Sequence, residues 1–205
     1  SKLYRDSIEG PALEGVKLGR ELGIEVTSDE IDEAAASQRK VGGKERSNEG
    51  FLKVLEDNFG MTEEEYRRML YLLIMKKKVS IEIDDQAKNT ASAVEAKIAE
   101  SGGDFRAVAE VLGDKIQYEE TGGLVDAMNI DGGRAVMASS LEPGAISSKF
   151  ISANGDGYYF VKLINKNDTQ VNYASIKVPF TEFTKRLVRL RDGGSIEEYI
   201  VFPEQ

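Results

Sequence analysis

The sequence predicts an α+β protein: a helical block followed by a smaller mixed block. Three observations carry that prediction. Residues 1–84 repeat helix-start signals and place apolar residues at helical spacing. Residues 85–165 begin with two more helical stretches and then turn glycine-rich and β-alternating. Net charge divides at the same places, −4, −5 and zero over residues 1–84, 85–165 and 166–205.

Taken in order, Leu13, Val16, Leu18 and Leu22 form a helical stripe closed by Gly23, a residue suited to a left-handed helix end. Thr27-Ser28-Asp29-Glu30 reads as a capping box, with Ile31, Ala34 and Ala35 behind it on one face. Gly42-Gly43 is expected to break that helix. Ser47-Asn48 starts a short one with Phe51, Leu52 and Leu55 apolar, and Gly60 ends it. Thr62 to Glu65 is a second capping box, leading into the amphipathic stripe of Tyr66, Met69, Leu70, Leu73 and Ile74. Val79, Ile81 and Ile83 alternate with polar residues and predict a short strand.

Helix returns at Ala87–Glu100 and, after Ser101-Gly102-Gly103 and a cap at Asp104, at Phe105–Leu112, an αα-hairpin. Val136-Met137-Ala138 predicts a short helix, Ile146–Ile151 a strand, Asn154 to Gly157 a turn and Tyr158–Ile164 the return strand. Val171–Val178 reads as one more strand, Phe180–Arg191 as a helix, and Ser195 to Glu198 as a capped end leading to Tyr199.

Composition removes whole classes of chemistry. The chain has no histidine and no cysteine, which excludes histidine triads, thiol chemistry, disulfides and Cys/His zinc sites. A net charge of −9 disfavours phosphate backbones. The longest apolar run, Met69 to Met75, is far short of a membrane span, so membrane association is expected only through an anchor outside this chain. Lys76-Lys77-Lys78 reads as a solvated helix end, and Lys185, Arg186, Arg189 and Arg191 as the wet face of a helix. Asn154-Gly155-Asp156-Gly157 lacks the oxygen spacing of a calcium loop. No cofactor, metal or nucleic acid is expected.

One resemblance is specific. Ser101-Gly-Gly-Asp-Phe-Arg-Ala-Val-Ala109, then Gly122-Gly123-Leu124, Leu141-Glu-Pro-Gly-Ala-Ile-Ser147 and Gly157-Tyr-Tyr-Phe-Val-Lys-Leu163 together resemble a parvulin-type peptidyl-prolyl isomerase domain in order and spacing. Leu22-Gly-Ile-Glu-Val-Thr-Ser-Asp-Glu-Ile31, Phe51…Leu55…Gly60 and Thr62-Glu-Glu-Glu-Tyr-Arg-Arg68 are similar to the helical N-terminal domain of SurA/PrsA-type extracytoplasmic chaperones. The resemblance implies a discontinuous helical chaperone module (residues 1–84 and 166–205, with 170–201 returning to complete it) and an inserted parvulin-like domain (residues 85–165). Whether Val171–Val178 joins the inserted sheet or the helical module stays open.

Parvulin-type sites use two histidines, a Cys or Asp, and an apolar pocket built on Met and Phe. Here the Cys/Asp position falls on Lys115, the Met and Phe positions near Ile130 and Arg134, and one histidine position on Tyr159. The strand that carries the other histidine is reduced to Val79–Ile83 or absent. Met137 is expected, with Arg134, to line or fill the pocket. The resemblance therefore implies substrate binding by Lys115, Ile130, Arg134, Met137 and Tyr159 and no catalytic residue. The implied function is an extracytoplasmic chaperone for unfolded or newly translocated polypeptides. Two alternatives are an isomerase with a divergent, histidine-free site and a scaffold with one dedicated partner.

Overall fold

The computed structural model describes residues 13–41 and 44–193. A helical layer comes first. Helix α1 is described over residues 13–21, α2 spans Ser28–Gln38, α3 Asn48–Phe59 and α4 Glu63–Ile83. Strands β1 (Lys40–Val41) and β2 (Lys44–Glu45) pair antiparallel between α2 and α3. Helix α2 thus ends at Gln38, ahead of Gly42-Gly43, which lie outside the described residues. Both capping boxes form: Thr27 exchanges hydrogen bonds with Glu30, and Thr62 with Glu65. Each satisfies amides that a helix start leaves without partners.

Helix α4 has 21 residues, a length of roughly 31 Å, and it spans two apolar clusters. Its first half packs Tyr66 and Leu70 with Leu55 of α3 and with Ile31 and Ala34 of α2. Its second half packs Leu72, Met75 and Val79 with Val16 and Leu18 of α1. The helices approach closely, because a Cβ on Gly19 would lie 2.3 Å from the Met75 sulfur. Of the stripe expected on α1, Leu13 and Leu22 stay exposed.

Residues 79–83 are helical, not a strand. Their alternation fits a period of two, but Met75, Val79 and Ile83 also stand four apart. That spacing continues the stripe packed on α1, and the longer period wins.

Asp84 then joins the layers. It is 1% exposed. One carboxylate oxygen accepts from the Ala87 amide at 2.9 Å, capping α5 (Asp85–Glu100). The other accepts from the Thr181 and Glu182 amides at 2.7 and 3.1 Å, at the start of α8 (Glu182–Asp192). One side chain thereby caps two helices far apart in sequence.

Helix α5 turns through glycine into α6 (Phe105–Leu112), capped by Asp104. A 3-10 turn at Gly113–Lys115 leads to β3 (Gln117–Glu120) and β4 (Val125–Asp126), then to α7 (Arg134–Ser139). β5 (Phe150–Ile151), β6 (Gly157–Lys166) and β7 (Gln170–Pro179) follow. The protein is α+β, with these strands in one antiparallel sheet ordered β3-β7-β6-β5 and β4 also paired to β7.

The strand expected over Ile146–Ile151 is regular only at Phe150–Ile151, with one isolated bridge from Ile146 to Lys162. β7 settles the open question of Val171–Val178: it lies between β3 and β6, so of residues 166–193 only α8 packs on the helical layer, through Phe183 and Leu187. The capped end expected at Ser195 to Tyr199 lies outside the described residues.

The sheet is packed by two helices on one face and by one short helix on part of the other. Helices α5 and α6 place Ala91, Val94, Phe105 and Val108 against Tyr158, Phe160, Ala174, Ile176 and Val178. On the other face α7 places Ala135 and Ala138 against Val161, Leu163, Val171 and Tyr173.

Candidate functional site

Helix α7 has six residues, about 9 Å, whereas β6 and β7 have ten each, about 33 Å. It covers only the part of the face around Leu163 and Tyr173. The uncovered part forms a cleft of about 300 Å³.

Strand register builds its floor. Phe150, Tyr159, Lys177 and Gln117 stand opposite one another across β5, β6, β7 and β3, and the next row holds Val161, Ser175 and Glu119. Opposed residues share a face. The walls are Ile130, Asp131 and Arg134 at the start of α7, and Asn154 and Asp156 from the β5–β6 turn. The two walls touch: the Ala153 amide donates to the Gly132 carbonyl at 3.0 Å. A Cβ on Gly132, whose φ is +77°, would lie 3.3 Å from the Ser152 Cβ, so glycine is required there.

Two ion pairs line the cleft. Lys177 donates to Asp156 at 2.6 Å, and Asp156 also accepts from the Ser152 hydroxyl at 2.5 Å and the Tyr159 hydroxyl at 3.3 Å. Burial alone would raise the Asp156 carboxyl, but Lys177 and Ser152 outweigh it and hold the group below its ordinary value. Burial likewise opposes the Lys177 charge, and the bond to Asp156 raises it nonetheless.

Arg134 donates to Glu119 at 2.5 Å and to the Asp131 carbonyl at 2.9 Å. Asp131 accepts from the Ala135 amide and from the Tyr173 hydroxyl at 2.5 Å. Burial, reinforced by that carboxylate, pushes the Tyr173 hydroxyl well above its usual range.

Tyr159 sits between the cations. The Arg134 guanidinium and the Lys177 ammonium lie 5.6 and 5.7 Å from its ring centroid, cation–π geometry on an electron-rich ring, and Phe150 stacks at 5.9 Å. The tyrosine is only 5% exposed, and burial, then the Asp156 charge, raises its hydroxyl.

Of the residues singled out from sequence, the fold brings Ile130, Arg134 and Tyr159 together. Lys115 ends the 3-10 turn, exposed and outside the cleft. Met137 is half-buried under α7 with the Ala135 cluster and does not line the cleft. The resemblance leads to an apolar pocket, but only Ile130 among the lining residues is apolar. Sequence reasoning passed over Glu119, Asp131, Asp156 and Lys177. The alternation Ser175-Ile176-Lys177-Val178 was the available signal, since it sets Ser175 and Lys177 on one face.

Chemically, the cleft can hold polar groups and pair charges. Among the described residues no cluster of acidic side chains has metal-site geometry. No protein-family model matches the sequence, and searches of curated proteins and of solved structures return no match.

Proposed function

We propose that this protein is a chaperone that binds unfolded or newly translocated polypeptide outside the cytoplasm, with little or no prolyl isomerase activity. In this reading α1–α4 and α8 form a discontinuous SurA/PrsA-type helical module, and α5 to β7 form a parvulin-like domain inserted in it. The observation that supports the reading is exposed apolar side chain beside a cleft whose lining charges are already paired with one another. Leu124, Met128 and Ile130, on the chain between β3 and α7, are 45%, 49% and 101% exposed, and Ile130 lines the cleft. Burying such side chains against a client gains about 25 cal/mol per Å² whatever the client's sequence, which suits weak, tolerant binding.

The cleft itself argues against catalysis. Prolyl isomerisation crosses a barrier of ~18–20 kcal/mol, and lowering it requires a firm grip on the ring and groups arranged around the twisted amide. Tyr159 is buried beneath two cations and offers no free face to a prolyl ring. The strand that the resemblance places before its first helix has no counterpart there, since residues 79–83 belong to α4. β7, arriving from the other end of the domain, instead brings Ser175 and Lys177 to the cleft.

The test runs two assays on one preparation. Aggregation of a chemically denatured client should be suppressed near stoichiometric ratios, while refolding of a proline-limited substrate keeps its uncatalysed rate. Strong acceleration of refolding would favour the divergent isomerase. No effect on any client, with one tight complex recovered, would favour the scaffold.

A further inference from the structure

The cleft on the sheet contains a hydroxyl that its own network leaves out. Ser175 stands on β7 between Val161 and Glu119 and is 2% exposed. Among the described residues, the Tyr66 hydroxyl is the side-chain polar atom that is both sealed from solvent and without a hydrogen-bond partner. The Ser175 hydroxyl is equally without a partner, so it keeps an opening, and that opening is into the cleft its residue lines. Alanine would fill this strand position without a hydroxyl to satisfy.

Gln117 and Asn154 also line the cleft, and neither makes a side-chain hydrogen bond among the described residues. Gln117 lies diagonally across from Ser175, at roughly 7 Å between neighbouring strands, and Asn154 stands in the wall formed by the β5–β6 turn. The charges, by contrast, are committed: Lys177 to Asp156, Arg134 to Glu119, and Asp131 to Tyr173 and the Ala135 amide. Glu119, Asp131 and Asp156 against Arg134 and Lys177 leave the lining at −1. That surplus repels an anion, and a cation would have to compete with Lys177 or Arg134 for a carboxylate. An uncharged group that both donates and accepts disturbs neither ion pair. An amide does so from two separate atoms, and can therefore bridge side chains that a single hydroxyl oxygen reaches less well.

We propose that the cleft binds an uncharged amide, which accepts from the Ser175 hydroxyl and exchanges hydrogen bonds with the Gln117 and Asn154 side chains. The amide has two sources, the main chain of an extended polypeptide or the side chain of a glutamine or asparagine within it. The inference rests on the chaperone reading for the source of the amide and not for the site.

The experiment titrates the isotope-labelled whole protein with butyramide, N-methylpropionamide, butyrate and butylamine and follows backbone NMR shifts. At least one amide should shift the Ser175, Gln117 and Asn154 resonances saturably, with butyrate and butylamine at least fivefold weaker. Binding of butyramide alone identifies a side-chain amide as the source, and binding of N-methylpropionamide identifies the main chain. Ser175→Ala should keep the parental Tm and lose about fivefold in amide affinity. Gln117→Met, at an exposed position and with the side-chain length kept, should lose a similar factor. The proposal is overturned if neither amide binds, if butyrate or butylamine matches the amides, or if either variant binds as the parent does. Suppressed aggregation of a denatured client by a preparation that binds no amide overturns this inference alone and leaves the chaperone reading standing.

Discussion

Strands β6 and β7 present two unlike faces. Under α5 and α6 they carry Tyr158, Phe160, Ala174, Ile176 and Val178, an apolar surface packed by two full helices. On the reverse they carry Tyr159, Ser175 and Lys177 beside a helix of one and a half turns. The cover decides which chemistry each face can hold. Where helices seal the sheet, only apolar side chains are buried without penalty. Where the cover stops, charge enters, and each cation is held by a carboxylate, Lys177 by Asp156 and Arg134 by Glu119.

The difference has measurable edges. Phe160→Ala, on the sealed face, should cost about 3–5 kcal/mol in denaturant unfolding, while Tyr159→Phe, one position along on the open face, should cost under ~1 kcal/mol because it removes one long hydrogen bond. Equal losses would break the comparison. Asp84→Ala, at the joint between helical layer and sheet, should cost about 2–4 kcal/mol, because it uncaps two helices at a buried position.

Asp156→Asn should cost about 1 kcal/mol at neutral pH, as for a partly exposed ion pair. Its sign with pH follows from linkage. The folded carboxyl titrates below its unfolded value of ~3.9, so its stabilisation is complete above that pH and is lost as pH falls through the folded value. The parent and Asp156→Asn stability curves should therefore converge in acid, part as pH rises through the folded value, and be fully separated by about pH 4. Ile130→Asp should change stability by less than ~0.5 kcal/mol, and under the proposed chaperone function it should weaken suppression of client aggregation; unaltered suppression would remove the exposed rim from the proposed binding surface.

Much of the helical layer was legible because its signals are local. Thr27 with Glu30 and Thr62 with Glu65 set helix starts within four residues, and Gly60 sets an end. Val79–Ile83 misled because five residues satisfy both periods, and only packing on α1 separates them. β3 was missed because Gln117-Tyr118-Glu119-Glu120 lies at an edge and has no apolar alternation to show. The cleft was half legible. Arg134 and Tyr159 were found through segments of recognisable order, but spacing along a glycine-rich chain cannot say where a loop doubles back, so Lys115 and Met137 fell outside. Lys177 and Asp156 meet across 21 residues, and only strand register brings them together.

Among the described residues, the order β3-β7-β6-β5 makes the strand that comes last in sequence the keystone of its sheet. A nascent chain stopped short of residue 170 holds β3 and β4 on one side and β5 and β6 on the other, with nothing to bridge them. The sheet therefore cannot close until residues 170–179 are present, and β3 must then pair with β7 across a long stretch of sequence, a topology associated with slow folding.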